Sequence, residues 1–196
     1  MRNSPNPKPS PQDAKQARET ETAVLELVRP SEQYLVSYLE ACRETWGHVH
    51  DSYILHDPDK FDEWRGRIFS DFADHEKGVN LPDGHMPSAT FWLVEGNEFV
   101  GTVNIRLKMN EFLSTFGGRF GIFVRMSRRH SGIATRANPM IIQKTRELGI
   151  VGDILIICRE NNVPSVRVLM NSSYKSMETA TVLKDGIPVR VRRFLF

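Results

Sequence analysis

The chain has 196 residues and a formal net charge of +2, with 40% hydrophobic and 26% charged residues. These values are ordinary for a globular chain that buries a core, and so small a net charge gives no reason to expect a nucleic acid or a membrane as partner. No apolar run approaches the roughly 20 residues of a membrane helix, and Cys42 and Cys158 form neither a disulfide framework nor a metal motif, so we expect a soluble, cytoplasmic protein without a metal.

The N-terminal part of the sequence predicts a tail, one strand and two helices. Residues 1–22 are rich in Pro, Ser, Asn, Lys and Glu, which predicts a disordered tail before a single domain at 23–196. A strand is expected at 23–28. A helix from Ser31 to Gly47 is expected because its apolar residues share one face: Leu35, Leu39, Cys42 and Trp46. A second helix from Asp57 to Gly78 carries a longer stripe: Phe61, Trp64, Ile68, Phe69 and Phe72.

The middle of the sequence predicts a loop and three strands. Residues 81–88 are typical of a loop. Two strands at 89–95 and 98–107 form a hairpin across the Gly96-Asn97 turn. A further strand is expected at 119–125, after a pair of glycines.

The C-terminal part alternates helices with strands. A helix is expected at 132–148 and a shorter one at 163–171. Residues 153–158 are continuously apolar, which predicts a strand that is buried on both faces and paired in parallel. The last strand, 187–195, closes a hairpin. The element order predicts a mixed α/β domain.

The charges are unevenly distributed along the chain. Residues 40–98 hold thirteen acidic side chains against five Lys and Arg, whereas residues 123–150 hold six Lys and Arg against one Glu. This asymmetry suits a protein that holds a polyanion beside a cationic substrate. For most individual charges, a solvated face is the plainer interpretation.

The most informative stretch is the basic loop at 124–135, which joins a strand to a helix. The first amides of a helix lack intrahelical acceptors and form an anion site. Gly132 lets the backbone approach a diphosphate, Ala134 keeps the next turn small, and Arg128 and Arg129 add donors. The loop has neither the Gly-Lys-Ser/Thr ending of a nucleotide-triphosphate loop nor the Gly-x-Gly-x-x-Gly spacing of a dinucleotide loop. An ordinary basic loop remains open on these residues alone.

Arg129-x-x-Gly132-x-Ala134 resembles the Arg/Gln-x-x-Gly-x-Gly/Ala signature of GNAT acetyltransferases, whose loop binds the pyrophosphate of coenzyme A. The strand at 120–125 resembles the preceding strand of that family, which splays at a bulge and pairs with the pantetheine arm. Residues 146–165 follow the family in order and spacing. The resemblance implies a central mixed sheet flanked by helices, acetyl-coenzyme A as co-substrate, and these coenzyme-binding residues: Phe123, Val124, Arg125, Arg129, His130, Ser131, Gly132, Ile133, Ala134, Thr135 and Asn162.

Three features depart from the family pattern. Pro139 lies inside the helix that follows the loop, where it removes a hydrogen bond and clashes with the preceding turn. Leu169 stands where many members place a tyrosine that donates a proton. Residues 171–174 lack the usual ending of this segment. All three bear more on catalysis than on fold.

The resemblance implies direct attack of a neutral amine on the thioester in a ternary complex. Backbone amides near Val124 would polarise the carbonyl. Glu111 is the expected base, because a bacterial subgroup carries an acid there, and His85 is a second candidate. Tyr174 is the candidate proton donor to the thiolate. Judged without the resemblance, Glu111 and His85 also fit solvated loop positions.

The acidic excess favours a cationic acceptor, either a small molecule or a peptide amine. We expect no nucleic-acid or membrane partner and leave a homodimer open. The second hypothesis is a protein that binds coenzyme A or a partner without efficient turnover. A nucleic-acid-binding module is supported by the arginine cluster alone and lacks the interleaved aromatics of such modules.

Overall fold

The computed structural model of the chain describes residues 24–46 and 56–196. The predicted tail at 1–22, and Gly47 at the predicted end of the first helix, lie outside these residues. The described strands form two antiparallel sheets, one in the order β1-β2-β3-β4 and the other in the order β5-β7-β6. The strands are β1 Leu25–Val28, β2 Ser88–Glu95, β3 Glu98–Arg106, β4 Phe120–Val124, β5 Leu155–Arg159, β6 Ser176–Lys184 and β7 Ile187–Leu195.

Helices and short helical turns connect the strands, and their order confirms the predicted mixed α/β fold. The α-helices of the described residues are α1 Leu35–Thr45, α2 Phe61–Trp64, α3 Ile68–Lys77, α4 Ile133–Glu147 and α5 Val163–Met170. The shorter turns are 3₁₀ at Glu32–Tyr34, Pro58–Lys60 and Met126–Arg128, and π-helical at Leu113–Gly117.

The two N-terminal helices differ in detail from their predicted form. The first begins as a 3₁₀ turn, and Trp46, predicted on its buried face, is 46% exposed. The second is divided into α2 and α3 at residues 65–67, where Gly66 lowers helix propensity. Its predicted apolar stripe is nevertheless confirmed, because Trp64 and Ile68 are buried.

The predicted parallel pairing of the apolar strand is wrong. β5 pairs antiparallel with β7. Its other edge meets β4 only where both strands begin, where the N–H of Arg119 donates to the C=O of Leu155 at 2.7 Å. No ladder joins β4 to β5 beyond this bond within residues 56–196. We call the space between these two strands the β4–β5 gap, with its closed end at Arg119.

The two faces of the first sheet pack against different helices. Tyr38 of α1 stacks on Trp92 of β2 at 4.8 Å between ring centres, in a core shared with α2 and α3. We call this side the α1 face. The opposite side, the α4 face, packs against Ile133 and Ile141 of α4, and its core continues under the second sheet through Phe194. One buried core therefore joins the two sheets on the α4 face.

Among the helices of residues 24–46 and 56–196, none is long and apolar enough to cross a membrane. The same residues contain no group of three or more His, Cys, Asp or Glu that could hold a metal ion. Cys42 and Cys158 are both free and buried. Burial raises the pKa of the Cys42 thiol to about 12 and that of the Cys158 thiol to about 11. Neither thiol is therefore activated as a nucleophile.

Candidate active site

The predicted anion site lies at the N-terminus of α4. Gly132 is the N-cap residue with a φ of +79°, and a Cβ at this position would meet no heavy atom within 4 Å. Arg136 begins the helical ladder by donating its N–H to the C=O of Gly132 at 3.0 Å. Within the described part of the chain, the N–H groups of Ile133, Ala134 and Thr135 have no acceptor. Three amides at the positive end of the helix dipole are therefore without hydrogen-bond acceptors.

Arg129 lies beside these amides and keeps most of its donors free. Its Nε donates to the C=O of Val124 at 3.3 Å, and its guanidinium carbon lies 5.7 Å from the centre of the Phe123 ring. No carboxylate of residues 24–46 or 56–196 lies within 4 Å of it. His130, with a φ of +64°, and Ser131 are exposed on the same loop. This part of the loop is therefore accessible and positively charged.

Arg125, predicted to contact the coenzyme, has its guanidinium engaged elsewhere. Its Nε donates to Glu44 at 2.8 Å, and carboxylate oxygens of Glu40 and Glu98 lie 3.4 and 3.5 Å from its terminal nitrogens. Glu44 also accepts hydrogen bonds from the N–H and the hydroxyl of Ser127, at 3.3 and 2.8 Å. These contacts fix the beginning of the loop to the end of α1. The backbone of Arg125 is also engaged, because its N–H donates to Val100 and its C=O accepts the N–H of Arg128, both at 2.9 Å.

The protonation of Glu44 follows from the same contacts. Burial raises its pKa, but the hydrogen bonds from Arg125 and Ser127 lower it further, and the net pKa is below the ordinary glutamate value. Glu44 is therefore ionised near neutral pH.

Arg128 also forms ion pairs with carboxylates. Its terminal nitrogens contact Glu95 and Glu98 of the β2–β3 hairpin. Arg136 of α4 adds a third ion pair, to Glu95 at 2.6 Å. Much of the uneven charge of the sequence is thus neutralised within the protein, because several acids of residues 40–98 form ion pairs with arginines of residues 123–150. Sequence reasoning missed this role for Glu44, Glu95 and Glu98, since each lies 27 or more residues from every arginine that it pairs with.

β4 presents an unpaired edge to the β4–β5 gap. The N–H of Arg125, directly after β4, donates to the C=O of Val100 in β3, which fixes the alternation of hydrogen-bonded positions along the pair. The N–H and C=O groups of Ile122 and Val124 therefore point away from β3, towards β5. The register with β3 is continuous through 120–124, so the expected bulge is absent there, and the backbone instead departs from extended geometry at Gly118.

Asn162 lies at the N-terminus of α5, directly after β5. Its Oδ1 accepts the N–H of Ser165 at 3.4 Å, so it caps the helix. α4 follows β4 and α5 follows β5. Asn162 and the loop at 129–135 therefore lie at the ends of the two strands that are remote from the closed end of the gap.

Glu111 and His85, the two candidate bases, occupy neighbouring segments. Both are exposed. Asn110 connects the segments, since its Nδ2 donates to the C=O of Gly84 at 3.1 Å while its Oδ1 accepts the N–H of Leu113 at 2.9 Å. Glu111 begins the short helical segment that leads to the closed end of the β4–β5 gap.

Tyr174 and Leu169 both pack on the α4 face. Leu169 is 5% exposed, so its side chain fills the core. Tyr174 is half-buried, with its ring 5.3 Å from that of Phe194 and its hydroxyl 3.9 Å from the sulfur of Met170. Tyr174 and Glu111 therefore lie on opposite sides of the second sheet, since the Leu113–Gly117 turn packs against the face that carries Arg193.

Comparisons with known proteins agree with this arrangement. The family model described as "Acetyltransferase (GNAT) family" matches residues 33–171, well over half of the chain. No curated protein is similar in sequence.

Solved structures share the fold at low sequence identity. The RimL ribosomal L7/L12 α-N-protein acetyltransferase in complex with coenzyme A is 14% identical, with a TM-score of 0.55 over 89% of this chain and 94% of that one. An acetyltransferase of Salmonella typhimurium that modifies the N-terminal serine of L7/L12 is also 14% identical, with a TM-score of 0.56 over 89% and 95%. The microcin C7 self-immunity acetyltransferase MccE, solved with acetyl-CoA and AMP, is 12% identical, with a TM-score of 0.54 over 88% and 91%.

Proposed function

Because this chain belongs to the acetyltransferase (GNAT) family, whose members depend on acetyl-coenzyme A, we propose that it transfers the acetyl group to an amine by direct attack in a ternary complex. The observation that carries this proposal is the free N-terminus of α4 beside the unpaired edge of β4. A diphosphate needs clustered donors, and an extended amide chain needs an unpaired strand edge. The chain offers both within one loop.

The coenzyme-binding residues divide by the group they offer. The N–H groups of Ile133, Ala134 and Thr135 hold the pyrophosphate, assisted by the guanidinium of Arg129. The remaining contacts come from the loop, from β4 and from the residue that follows β5: Phe123, Val124, Arg125 through the second lone pair of its C=O, His130, Ser131, Gly132 and Asn162. The acetyl group then lies along β4, towards the closed end of the gap.

In the reaction, Glu111 takes a proton from the acceptor ammonium, and the neutral nitrogen forms a bond to the acetyl carbon. N–H groups on the β4 edge stabilise the charge on the carbonyl oxygen, and that of Ile122 lies nearer the closed end of the gap than that of the predicted Val124. The carbon–sulfur bond breaks, the nitrogen releases its surplus proton as the amide forms, and the leaving thiolate takes up a proton; Tyr174, the predicted donor, lies across the second sheet from Glu111 and packs on the α4 face.

The acceptor is an amine that is protonated before binding. RimL is named as an acetyltransferase of the ribosomal protein L7/L12, whereas MccE is named as a microcin C7 self-immunity acetyltransferase. The shared fold therefore does not by itself select the acceptor. The acids of residues 40–98 favour a cationic amine. However, ion pairs occupy Glu44, Glu95 and Glu98, so steering by the remaining exposed acids is modest and falls with salt.

Gly132→Val tests the coenzyme site. The valine would occupy a φ of +79° and would project into the open space in front of the amides, so we expect coenzyme A binding to be lost in calorimetry while unfolding stays cooperative. Gly152→Ala is the matched control, because Gly152 also has a positive φ and open surroundings. Unchanged affinity in a folded Gly132→Val protein would remove this loop from the proposal.

Glu111→Gln tests the base. We expect turnover to fall about 100-fold or more near neutral pH, with little change in coenzyme affinity, because general-base catalysis contributes on the order of 10²–10⁴ in rate. The loss should shrink at high pH, where more of the amine is already neutral. Equal pH–rate profiles for the variant and the native protein would exclude Glu111, and the same measurement on His85→Gln would then identify the second candidate.

A protein that binds coenzyme A without efficient turnover is the second candidate function. Its support is Leu169, which is buried in the core where many family members offer a tyrosine, together with Pro139 inside α4. Coenzyme binding by calorimetry, combined with no acetyl transfer to a panel of amino acids, polyamines, antibiotics and peptides, would favour this candidate.

A further inference from the structure

Arg119 lies at the closed end of the β4–β5 gap. Its N–H donates to Leu155 of β5, and its Nη1 donates to the C=O of Arg106 at the end of β3, at 3.0 Å. The next residue, Phe120, packs in the core of the α4 face. Arg119 itself precedes β4, and its guanidinium lies beside the end of β3, where Nη1 contacts Arg106.

Within residues 24–46 and 56–196, no carboxylate lies within 4 Å of the Arg119 guanidinium, and its buried Nε has no acceptor. By contrast, four other buried or half-buried arginines each have a carboxylate within 4 Å of the guanidinium: Arg125, Arg128, Arg192 and Arg193. Burial lowers the pKa of Arg119, with no carboxylate to raise it. A guanidinium that is partly withdrawn from water without an anion is costly, so this site favours an anionic ligand.

The surroundings of Arg119 connect it to the proposed base. β3 ends at Arg106, and the chain then reaches Asn110 and Glu111 within five residues. The N–H of Leu107 also donates to Pro87, which brings the loop that carries His85 to the same end of the sheet. An acceptor at the closed end of the gap therefore meets a cation on the strand and a carboxylate on the adjoining helical segment.

We propose that Arg119 binds a carboxylate group of the acceptor, so that the acceptor class is an amine that carries a carboxylate close to the reacting nitrogen. The proposal rests on the proposed function and deepens it. Glu111 accepts the ammonium proton, while Arg119 pairs with the carboxylate through Nη2, since Nη1 donates to Arg106 and Nε is buried, and orients the nitrogen. Free amino acids and peptides with an acidic residue beside the N-terminus both offer this chemistry.

The test compares acceptors that differ only in the carboxylate. The first pair is glycine and glycinamide, and the second is the tripeptide amides Ala-Glu-Ala and Ala-Gln-Ala, which separate a free amino acid from a peptide. In the native protein, we expect kcat/KM to favour the carboxylate member of at least one pair about tenfold or more, since charge-assisted hydrogen bonds discriminate by at least that much. Arg119→Gln should bring this ratio near one through a higher KM, with coenzyme A affinity unchanged.

Arg65→Gln is the matched control, because Arg65 is exposed and its contact with Asp62 at 3.8 Å is remote from the gap; it should leave the ratio unchanged. Arg119→Lys keeps the charge but loses the planar fork, and it should retain part of the preference even if Arg119→Gln fails to fold. Calorimetry of the four compounds with coenzyme A-saturated protein repeats the comparison without turnover. No preference for the carboxylate in either measurement, or an undiminished preference in both Arg119 variants, would overturn the proposal. Failure of coenzyme A to bind the native protein would instead refute the proposed function.

Discussion

Replacing Gly118 with alanine tests whether β4 and β5 must approach closely where they meet. Gly118 has a φ of +70° and a ψ of −178°, a region that is essentially restricted to glycine. A Cβ there would lie 2.8 Å from the backbone nitrogen of Ile157 and 3.3 Å from both the Cα of Ile156 and the C=O oxygen of Leu155. All three contacts are with backbone atoms of β5, so relief requires the strand itself to shift.

The expected loss of stability combines two effects. The backbone conformation costs roughly 1–3 kcal/mol for a residue with a Cβ, and overpacking against a buried strand costs roughly a further 1–3 kcal/mol. We therefore expect Gly118→Ala to reduce the free energy of unfolding by about 2–6 kcal/mol. Gly149 is the matched control, because it has a φ of +80° but a Cβ there would meet no heavy atom within 4 Å, and its alanine variant should lose only about 1–2 kcal/mol.

Urea unfolding of the two variants and the native protein, followed by far-UV circular dichroism, measures these losses. The midpoints should shift with unchanged slopes if the transitions remain two-state. The Gly118→Ala protein should also bind coenzyme A more weakly, since a displaced β5 alters the width of the β4–β5 gap. Equal losses of stability in the Gly118 and Gly149 variants would show that the close approach of the strands contributes nothing.

Two further substitutions probe the helix and the loop of the proposed coenzyme site. Pro139→Ala should raise the free energy of unfolding by about 1–3 kcal/mol, because the C=O of Thr135 regains its helical donor; a lower melting temperature would mean that the native packing requires the proline. Glu44→Gln should cost about 1–3 kcal/mol at pH 7, because it weakens the pairing of buried Arg125. Since the pKa of Glu44 is lowered in the folded state, this contribution is present above the unfolded pKa of about 4.3 and is lost as pH falls below it. Unfolding at pH 7 and pH 3 should thus give a smaller difference at pH 3, and a constant difference, or an equal loss in exposed Glu63→Gln, would contradict the assignment.

The sequence by itself was sufficient for the features that depend on neighbouring residues. The hairpin across Gly96-Asn97, the apolar stripe with Trp64 and Ile68, and the strand, loop and helix around Gly132 all appear as predicted. In each case the signal lies within about a helical turn or a strand length, because turns, caps and amphipathic patterns are local. The unpaired amides at the start of α4 were predictable for the same reason, since a helix N-terminus leaves its first N–H groups without intrahelical acceptors.

Only the tertiary structure decided which partners those elements meet. The apolar run of β5 indicated a buried strand but not its neighbour, and it pairs antiparallel with β7, which lies some 30 residues further along the chain. Arg125 belonged to the predicted coenzyme loop, yet Glu44, which is 81 residues away, holds its guanidinium. Arg119 belongs to no sequence motif, and only the three-dimensional structure shows that none of the described carboxylates lies beside its guanidinium. Charge pairing and strand order depend on which distant segments the core brings together, and no local pattern in a single sequence encodes that proximity.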